Sequence, residues 1–228
     1  MDKRIKKLIL TALFSAMSVL LYLFPKFSLP IFPSFLEMNF SMLPIMILGF
    51  ACGAMYGGLG VLLRYISNLI IEGSITAGVG EIMDLMLGAA VVIPASLIYR
   101  FIKIKEPKKT LFSLIVGLVI WIVAGAILNV FYAVPLYLKL YFNGNVNALV
   151  GALHIIPGVN ASNYMVKYII FAVIPFNFIL GFVVMTVTFL VNKRISILYV
   201  EDDEVIDSED EEVLEEEKTN AVQVEKLA

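Results

Sequence analysis

The sequence predicts an all-α membrane protein with six transmembrane helices, cytoplasmic N and C termini and a disordered acidic C-terminal tail. Hydrophobic residues make up 60% of the 228 positions and the mean hydropathy is +0.91, which is too apolar for a soluble domain of this length. The charges are also segregated, because residues 201–217 hold 12 of the 19 acids and residues 1–200 hold 15 of the 17 Lys and Arg residues. We therefore expect a six-helix domain over residues 1–195 and a disordered tail over residues 196–228, since dense acids repel one another.

Six apolar runs are the predicted spans, because about 20 helical residues at ~1.5 Å each cross a hydrocarbon layer ~30 Å thick. The runs cover residues 8–24, 40–56, 59–71, 82–102, 110–137 and 167–192. We expect the second to end at Gly57-Gly58 and the fifth to break near Pro135, since glycine and proline interrupt helices. A proline-rich segment over residues 25–39 is expected to form an ordered, apolar loop.

Basic residues predict the orientation of these spans. Eleven lie at one set of span ends: Lys3, Arg4, Lys6, Lys7, Arg100, Lys103, Lys105, Lys108, Lys109, Lys193 and Arg194. The opposite set carries only Lys26, Lys139 and Lys167. The positive-inside rule places the first set in the cytoplasm. The segments 25–39, 72–81 and 138–166, rich in Gly, Pro and Asn, then face outward and form the predicted binding side.

Enzyme motifs are missing from the sequence. It contains no Walker A motif, no HExxH and no paired CxxC, and its single cysteine, Cys52, rules out an internal disulfide. The one histidine, His154, stands alone in a predicted outer loop, and an acid pair at Glu81 and Asp84 lacks a nucleophile or metal partner. We therefore expect no catalytic residues, no metal, no cofactor and no nucleic-acid partner.

A short polar stretch over residues 72–84 interrupts the apolar runs. Gly73, Gly78 and Gly80 permit backbone angles that other residues avoid and allow a ligand or helix to approach closely. Glu81 and Asp84 are three residues apart, so a helix would present both on one face. Acids at the edge of a span rarely face lipid, which favours the lip of a polar cavity. The alternative is a plain loop with two solvated acids.

Two amides lie inside predicted spans. Asn129 and Asn177 need polar partners, because an unpaired amide in hydrocarbon costs a few kcal/mol. Each alone favours a hydrogen bond to another helix. Together with the aromatic residues Phe131, Tyr132 and Phe176 and the outer glycine-rich stretch, they favour a site for a flat heteroaromatic ligand.

The first span carries a pair of small residues, Ala12 and Ala16, with Ser15 beside them. Small residues four apart form a flat stripe that another membrane helix can approach closely. Alanine pairs also occur by chance, so this signal is weak when taken alone.

Four stretches resemble a known family. They cover residues 36–44, 76–88, 129–137 and 174–181, and read LEMNFSMLP, TAGVGEIMDLMLG, NVFYAVPLY and IPFNFILG. Over about residues 5–195 the chain resembles the substrate-binding S components of energy-coupling factor (ECF) vitamin transporters, and among them the riboflavin-binding members. The resemblance implies a six-helix protein of the bacterial plasma membrane that takes riboflavin or a related flavin at its outer face. A transmembrane coupling subunit and two cytoplasmic ATPases would drive delivery inward.

The resemblance also implies roles for individual residues. Ala12 and Ala16 occupy the stripe that docks on the coupling subunit, and the loop around Asn39 and Phe40 matches the gate. The residues expected to bind the ligand are Asn39, Phe40, Thr76, Gly80, Glu81, Asp84, Asn129, Tyr132, Asn177 and Leu180.

The chain also departs from the family pattern. The family usually has acids where this chain has Asn39 and Met42, often an asparagine at Asp84, and a ligand-contacting lysine at Leu180. Losing that ammonium removes a charge-assisted hydrogen bond worth ~1.5–3 kcal/mol. Weaker binding, a flavin relative or another aromatic ligand therefore stay open. The alternatives from other classes are a self-sufficient transporter, and a membrane enzyme or assembly factor acting on a small aromatic or quinone-like molecule.

Overall fold

The computed structural model describes residues 2–74, 76–192 and 194, and this part of the chain is mostly helical. Its α-helices are Lys3–Leu23 (α1), Met42–Cys52 (α2), Ala54–Ile71 (α3), Val79–Phe101 (α4), Lys108–Leu128 (α5), Val134–Tyr141 (α6), Val146–Ala152 (α7), Tyr164–Tyr168 (α8) and Ile174–Asn192 (α9). The acidic tail expected over residues 196–228 lies outside the described residues.

Five helical segments within these residues are long and apolar enough to cross a membrane. They are Lys3–Leu23, Ala54–Ile71, Val79–Phe101, Lys108–Tyr141 and Tyr164–Asn192. Large apolar side chains on them, such as Leu20, Phe131 and Leu190, are exposed. A helix surface of this kind is stable where it faces lipid rather than water. The chain is therefore a helical membrane protein.

The second predicted span is shorter than expected. At ~1.5 Å per residue, the 11 residues of α2 extend only ~16 Å, about half of a hydrocarbon layer. All of them except Leu43 are buried, so α2 lies inside the bundle. The predicted boundary at Gly57-Gly58 is wrong, because the chain turns at Gly53. That residue has φ 94° and ψ 167°, a conformation that side chains disfavour.

Gly57 instead lies inside α3 and permits its close approach to α2. A Cβ atom at Gly57 would lie 2.9 Å from the Cα of Gly49 in α2 and 2.8 Å from a methyl group of Val92 in α4. Real Cβ atoms essentially never come that close. α2 and α3 therefore pack backbone to backbone. This contact stabilises α2, which is too short to span the bilayer.

The predicted break near Pro135 is also wrong. A π-helical segment, Asn129–Ala133, follows α5, and the helical path continues through Pro135 in α6. A second π-helical segment, Ile169–Val173, stands in the same way before Pro175 in α9. Proline cannot donate the backbone hydrogen bond of a helix, and a wider π turn accommodates the lost bond without ending the helix.

One end of the bundle gathers basic residues. The Lys7 ammonium lies 5.4 Å from the centre of the Tyr56 ring, and Asn192 Nδ2 donates to Thr110 Oγ1 over 2.9 Å. The starts of α1, α3 and α5 and the end of α9 therefore meet here. We call this the basic end.

The opposite end carries the glycine-rich stretch, and we call it the glycine-loop end. Phe27–Ser28 (β1) pairs antiparallel with Glu37–Met38 (β2) in a two-stranded hairpin. Lys26 holds this hairpin to the end of α3, because its ammonium lies 3.2 Å from Glu37 and 3.4 Å from Glu72. Burial lowers the pKa of Lys26, but hydrogen bonds and charge from these two carboxylates outweigh it and raise the pKa above its usual value.

Candidate functional site

A cavity of about 270 Å³ lies at the glycine-loop end. The described residues that line it are Phe35, Thr76, Val134, Tyr137, Tyr141, Phe142, Leu149, Leu153, Tyr164 and Tyr168. Six of these ten side chains are aromatic, and only one of the others, Thr76, is polar. The wall therefore offers flat apolar faces edged by a few hydroxyl groups, as small-molecule sites commonly do.

Three short helices supply most of this wall through pairs of residues four apart. Tyr137 and Tyr141 come from α6, with their ring centroids 5.7 Å apart, and Tyr164 and Tyr168 come from α8. Leu149 in α7 and Leu153, which follows its last turn, form the third pair. Residues four apart share one face of a helix. The sequence analysis missed these pairs as site residues, although their spacing was a usable signal.

The glycine-rich stretch forms one edge of the cavity. Thr76 Oγ1 accepts a hydrogen bond from the Gly80 backbone N–H over 2.8 Å and donates to the Glu81 carboxylate. A Cβ atom at Gly80 would lie 3.3 Å from the Tyr137 hydroxyl oxygen, so its missing side chain lets Tyr137 approach the stretch closely. Of the predicted residues here, Thr76 lines the cavity, while Gly80 and Glu81 hold the Thr76 side chain in place through these hydrogen bonds.

The two predicted amides are buried, and their hydrogen bonds go to helices. Asn129 Nδ2 donates to the Gly125 carbonyl over 2.8 Å, and its Oδ1 accepts from the Tyr168 hydroxyl over 3.2 Å. This pattern matches the interpretation in which each amide bonds another helix. Asn129 nevertheless stands one hydrogen bond behind the cavity wall, because Tyr168 is part of that wall.

Asn177 makes an equivalent pair of bonds deeper in the bundle. Its Nδ2 donates to the Val173 carbonyl over 2.8 Å, and its Oδ1 accepts from Trp121 Nε1–H over 3.0 Å. It therefore joins α9 to α5. It does not contribute to the cavity wall.

A third group of polar residues surrounds Arg64 in α3. Arg64 is 0% exposed. Its Nη2 lies 2.6 Å from Asp84 Oδ2, and its Nη1 donates to Ser41 Oγ over 2.9 Å. Ser41 Oγ in turn donates to Asn39 Oδ1 over 2.6 Å. The predicted residues Asn39 and Asp84 thus meet through a buried guanidinium that the sequence analysis did not assign to the site.

The remaining predicted residues lie apart from the cavity wall. The partly buried ring of Phe40 has its centroid 6.4 Å from that of Phe27, Tyr132 is partly buried, and Leu180 packs in the apolar core. Ala12 and Ala16 are exposed on α1. Among the described residues, no three His, Cys, Asp or Glu side chains come together to hold a metal ion.

Replacing Trp121 with phenylalanine is expected to lower the free energy of unfolding by about 1–3 kcal/mol, because Asn177 Oδ1 loses its donor in a buried site. Unfolding by SDS titration in mixed micelles measures the effect. A double-mutant cycle isolates the hydrogen bond by comparing the loss in Trp121→Phe, the loss in Asn177→Leu and the loss in the double variant. Because the two residues are in contact, the loss in the double variant is expected to differ from the sum of the single losses by at least ~0.5 kcal/mol. Additive losses would contradict the assignment.

Comparison with known proteins decides the family. The family model described as ECF transporter, substrate-specific component, matches residues 6–192, which is most of the chain. The chain belongs to this family. The resemblance stated from the sequence is therefore confirmed, and we refer to the chain below as an S component.

Individual relatives agree with this assignment. The chain is 27% identical to riboflavin transporter RibU of Staphylococcus aureus over 191 residues, covering 84% of this chain and 90% of the relative. It is 30% identical to riboflavin transporter RibU of Streptococcus thermophilus over 183 residues, covering 78% and 77%. A solved structure of the S component of a bacterial ECF transporter matches with a TM-score of 0.64 and 26% identity, over 85% of this chain and 96% of that one. These relatives are transporter components, and this S component is not an enzyme.

Proposed function

We propose that this S component binds riboflavin or a related flavin in the aromatic cavity and delivers it inward with a transmembrane coupling subunit and two ATPases. The observation that carries the proposal is the cavity of about 270 Å³ whose wall holds six aromatic rings. Aromatic faces stack favourably on a planar ring system, by ~0.5–1.5 kcal/mol for a pair beyond the area they bury. The similarity to two riboflavin transporters supports a flavin as the planar ligand.

The size and polar edge of the cavity fit a flat ring system. Its volume lies just below the range of roughly 300–1,000 Å³ that small-molecule sites occupy, so the ring system would fill it. Tyr168 donates its hydroxyl hydrogen to Asn129, which leaves the hydroxyl oxygen to accept from a ligand N–H. Thr76 adds a second hydroxyl oxygen to the wall. We therefore assign Asn129 to orienting Tyr168.

The charge of the cavity favours riboflavin over its phosphorylated form, flavin mononucleotide. None of the ten described lining residues is Lys or Arg, and Leu180 occupies the position where the family pattern has a lysine. A phosphate taken into this wall would lose its hydration without gaining a cation, which is costly. Riboflavin carries no charge and avoids this cost.

Titration with riboflavin tests the proposal directly. Purified protein in detergent is expected to quench riboflavin fluorescence with a Kd of about 1 μM or lower, equivalent to ~8 kcal/mol of binding free energy. Flavin mononucleotide is expected to bind at least about tenfold more weakly. Absence of quenching by either flavin would remove the ligand assignment, and equal affinities would contradict the role given to the uncharged wall.

The orientation follows from the charges at the two ends. We place the glycine-loop end outside and the basic end in the cytoplasm of a bacterial plasma membrane, because basic residues concentrate on the cytoplasmic side of spans. We count α2 as the sixth membrane helix although it spans only part of the layer, so that both termini lie in the cytoplasm. A flavin would then enter from outside.

Replacing Ala16 with tryptophan is expected to lower riboflavin uptake by about tenfold or more in cells that supply the coupling subunit and ATPases, because ~1.4 kcal/mol of lost docking energy already gives a tenfold change. Ala12 and Ala16 share one exposed face of α1, remote from the cavity, so flavin binding by the purified variant is expected to be unchanged.

The matched control is Met17→Trp, which adds the same side chain at an exposed position about 100° further around α1. It is expected to retain uptake. Normal uptake by Ala16→Trp, or an equal loss in both variants, would contradict a docking role for the alanine stripe.

A further inference from the structure

The basic end is a strongly charged surface. Its described basic residues are Lys3, Arg4, Lys6, Lys7, Arg100, Lys103, Lys105, Lys108, Lys109 and Arg194. Seven of these ten are exposed, all except Lys6, Lys7 and Lys109. The described acids at this end are only Asp2 and Glu106, so this end of the bundle, with the buried Lys7 included, has an excess of eight positive charges. Such an excess attracts an acidic partner at short range.

The two acids at this end have structural roles. Asp2 accepts the Arg4 backbone N–H and caps the start of α1. Glu106 accepts the Tyr99 hydroxyl over 2.7 Å with one carboxylate oxygen and the Thr110 hydroxyl over 2.6 Å with the other. Both carboxylates are therefore directed at helix ends, and the excess of basic charge faces outward.

The chain leaves the bundle at this same surface. The hydrogen bond from Asn192 to Thr110 fixes the end of α9 beside the start of α5, where Lys108 and Lys109 lie. Only six residues separate Arg194 from the segment 201–217, which holds 12 acids. Six residues span at most ~20 Å, even when fully extended. The acidic segment is therefore tethered within reach of the basic end.

We propose that residues 201–217 bind the basic end of their own chain. Twelve negative charges face eight excess positive charges, and a short tether gives such a segment an effective concentration in the millimolar range. The described residues at the glycine-loop end offer no comparable surface, since they include only three lysines, Lys26, Lys139 and Lys167, and Lys26 already pairs with Glu37 and Glu72. The occupant is thus the chain's own acidic segment.

The bound segment would compete with other anionic contacts of this surface. Lys and Arg side chains near an anionic membrane surface are attracted to the lipid headgroups. The acidic segment supplies carboxylates to the same side chains and would reduce this attraction. Because the contact is electrostatic and exposed, it weakens with salt as the Debye length shortens from ~8 Å at physiological ionic strength to ~3 Å at 1 M.

Zero-length cross-linking of carboxylates to lysines tests the proposal on the full chain. The protein is placed one copy per nanodisc in uncharged lipid, treated with a carbodiimide and analysed by peptide mass spectrometry. Links are expected from residues 201–217 to lysines such as Lys103, Lys105 and Lys108. Their yield should fall about fivefold or more in 1 M NaCl, and should also fall when anionic lipid replaces part of the uncharged lipid.

The ion pair between Lys26 and Glu37, with atoms 3.2 Å apart at the opposite end, is the internal positive control. A variant with its 12 tail acids changed to Asn or Gln should keep the Lys26–Glu37 link and lose the tail links. Three results would each overturn the proposal: a Lys26–Glu37 link without tail links, tail links only between isotopically distinct copies, or a tail-link yield that 1 M salt leaves unchanged. If anionic lipid left the yield of tail links unchanged, the acidic segment and the lipid headgroups would not compete for the basic end.

Discussion

Replacing Asp84 with asparagine is expected to lower the free energy of unfolding by about 3 kcal/mol. Arg64 is 0% exposed and its Nη2 lies 2.6 Å from Asp84 Oδ2, so the variant leaves a buried guanidinium without its counter-charge. Removing one partner of a buried pair costs ~3–5 kcal/mol. We expect the lower end of that range, because the Asp84 side chain is 31% exposed and water can partly replace it. SDS titration in mixed micelles measures the loss.

Two variants separate this effect from a general loss of charge. Glu72→Gln removes a carboxylate from the more exposed pair with Lys26 and is expected to cost only ~0–1 kcal/mol. Arg64→Met combined with Asp84→Asn removes the stranded charge and is expected to recover at least half of the loss. If Asp84→Asn costs no more than Glu72→Gln, the buried ion pair does not hold α3 to α4.

Replacing Leu149 with tryptophan is expected to weaken flavin binding by about 100-fold, or ~2.7 kcal/mol. Leu149 lines the cavity, and an indole in place of its isobutyl group would occupy the space that we assign to the ligand ring. The added volume enters a cavity rather than a filled core, so the loss of stability is expected to stay below the ~1–3 kcal/mol typical of overpacking. Quenching of riboflavin fluorescence measures the affinity.

The matched control for this prediction is Leu62→Trp. It makes the same exchange at an exposed position on α3 and is expected to leave the affinity within about twofold of the parent protein. A folded Leu149→Trp protein with parental affinity would show that the ligand binds elsewhere, and the polar group around Arg64 would become the next site to test.

Apolar periodicity and length predicted the long helices well, and local packing explains the boundaries that they missed. The predicted run 82–102 corresponds to Val79–Phe101. A single long apolar stretch in lipid forms a helix because only a helix satisfies its backbone hydrogen bonds within the stretch itself. The Gly57-Gly58 pair is the stronger turn signal in the sequence, but the close contact between Gly57 and Gly49 keeps it helical. The turn falls at Gly53, a single glycine that only the packed structure distinguishes.

The candidate site was harder to predict for a similar reason. Thr76 was expected at the site and lines the cavity, because the glycine-rich stretch around it has a local sequence signal. Tyr141 and Tyr164 fell in the segment 138–166, which was interpreted as an outer loop, whereas Tyr137 and Tyr168 fell in the adjoining predicted spans. Each pair was therefore divided between a loop and a span, and its shared helix face was not recognised. The partner of Arg64 lies 20 residues away on another helix. Such a pairing depends on how helices pack, and helix packing is not encoded in short-range spacing.

The shortness of α2 has a consequence for how a solute reaches this protein. Arg64 lies seven residues before the end of α3 and Asp84 five residues after the start of α4, so the polar group around Ser41 sits ~8–10 Å below the tops of those helices. The first turn of α2 begins at this depth and leaves the layer above it to the hairpin. In the orientation that we propose, a solute coming from outside would therefore have to pass the hairpin before it reached the polar group around Arg64.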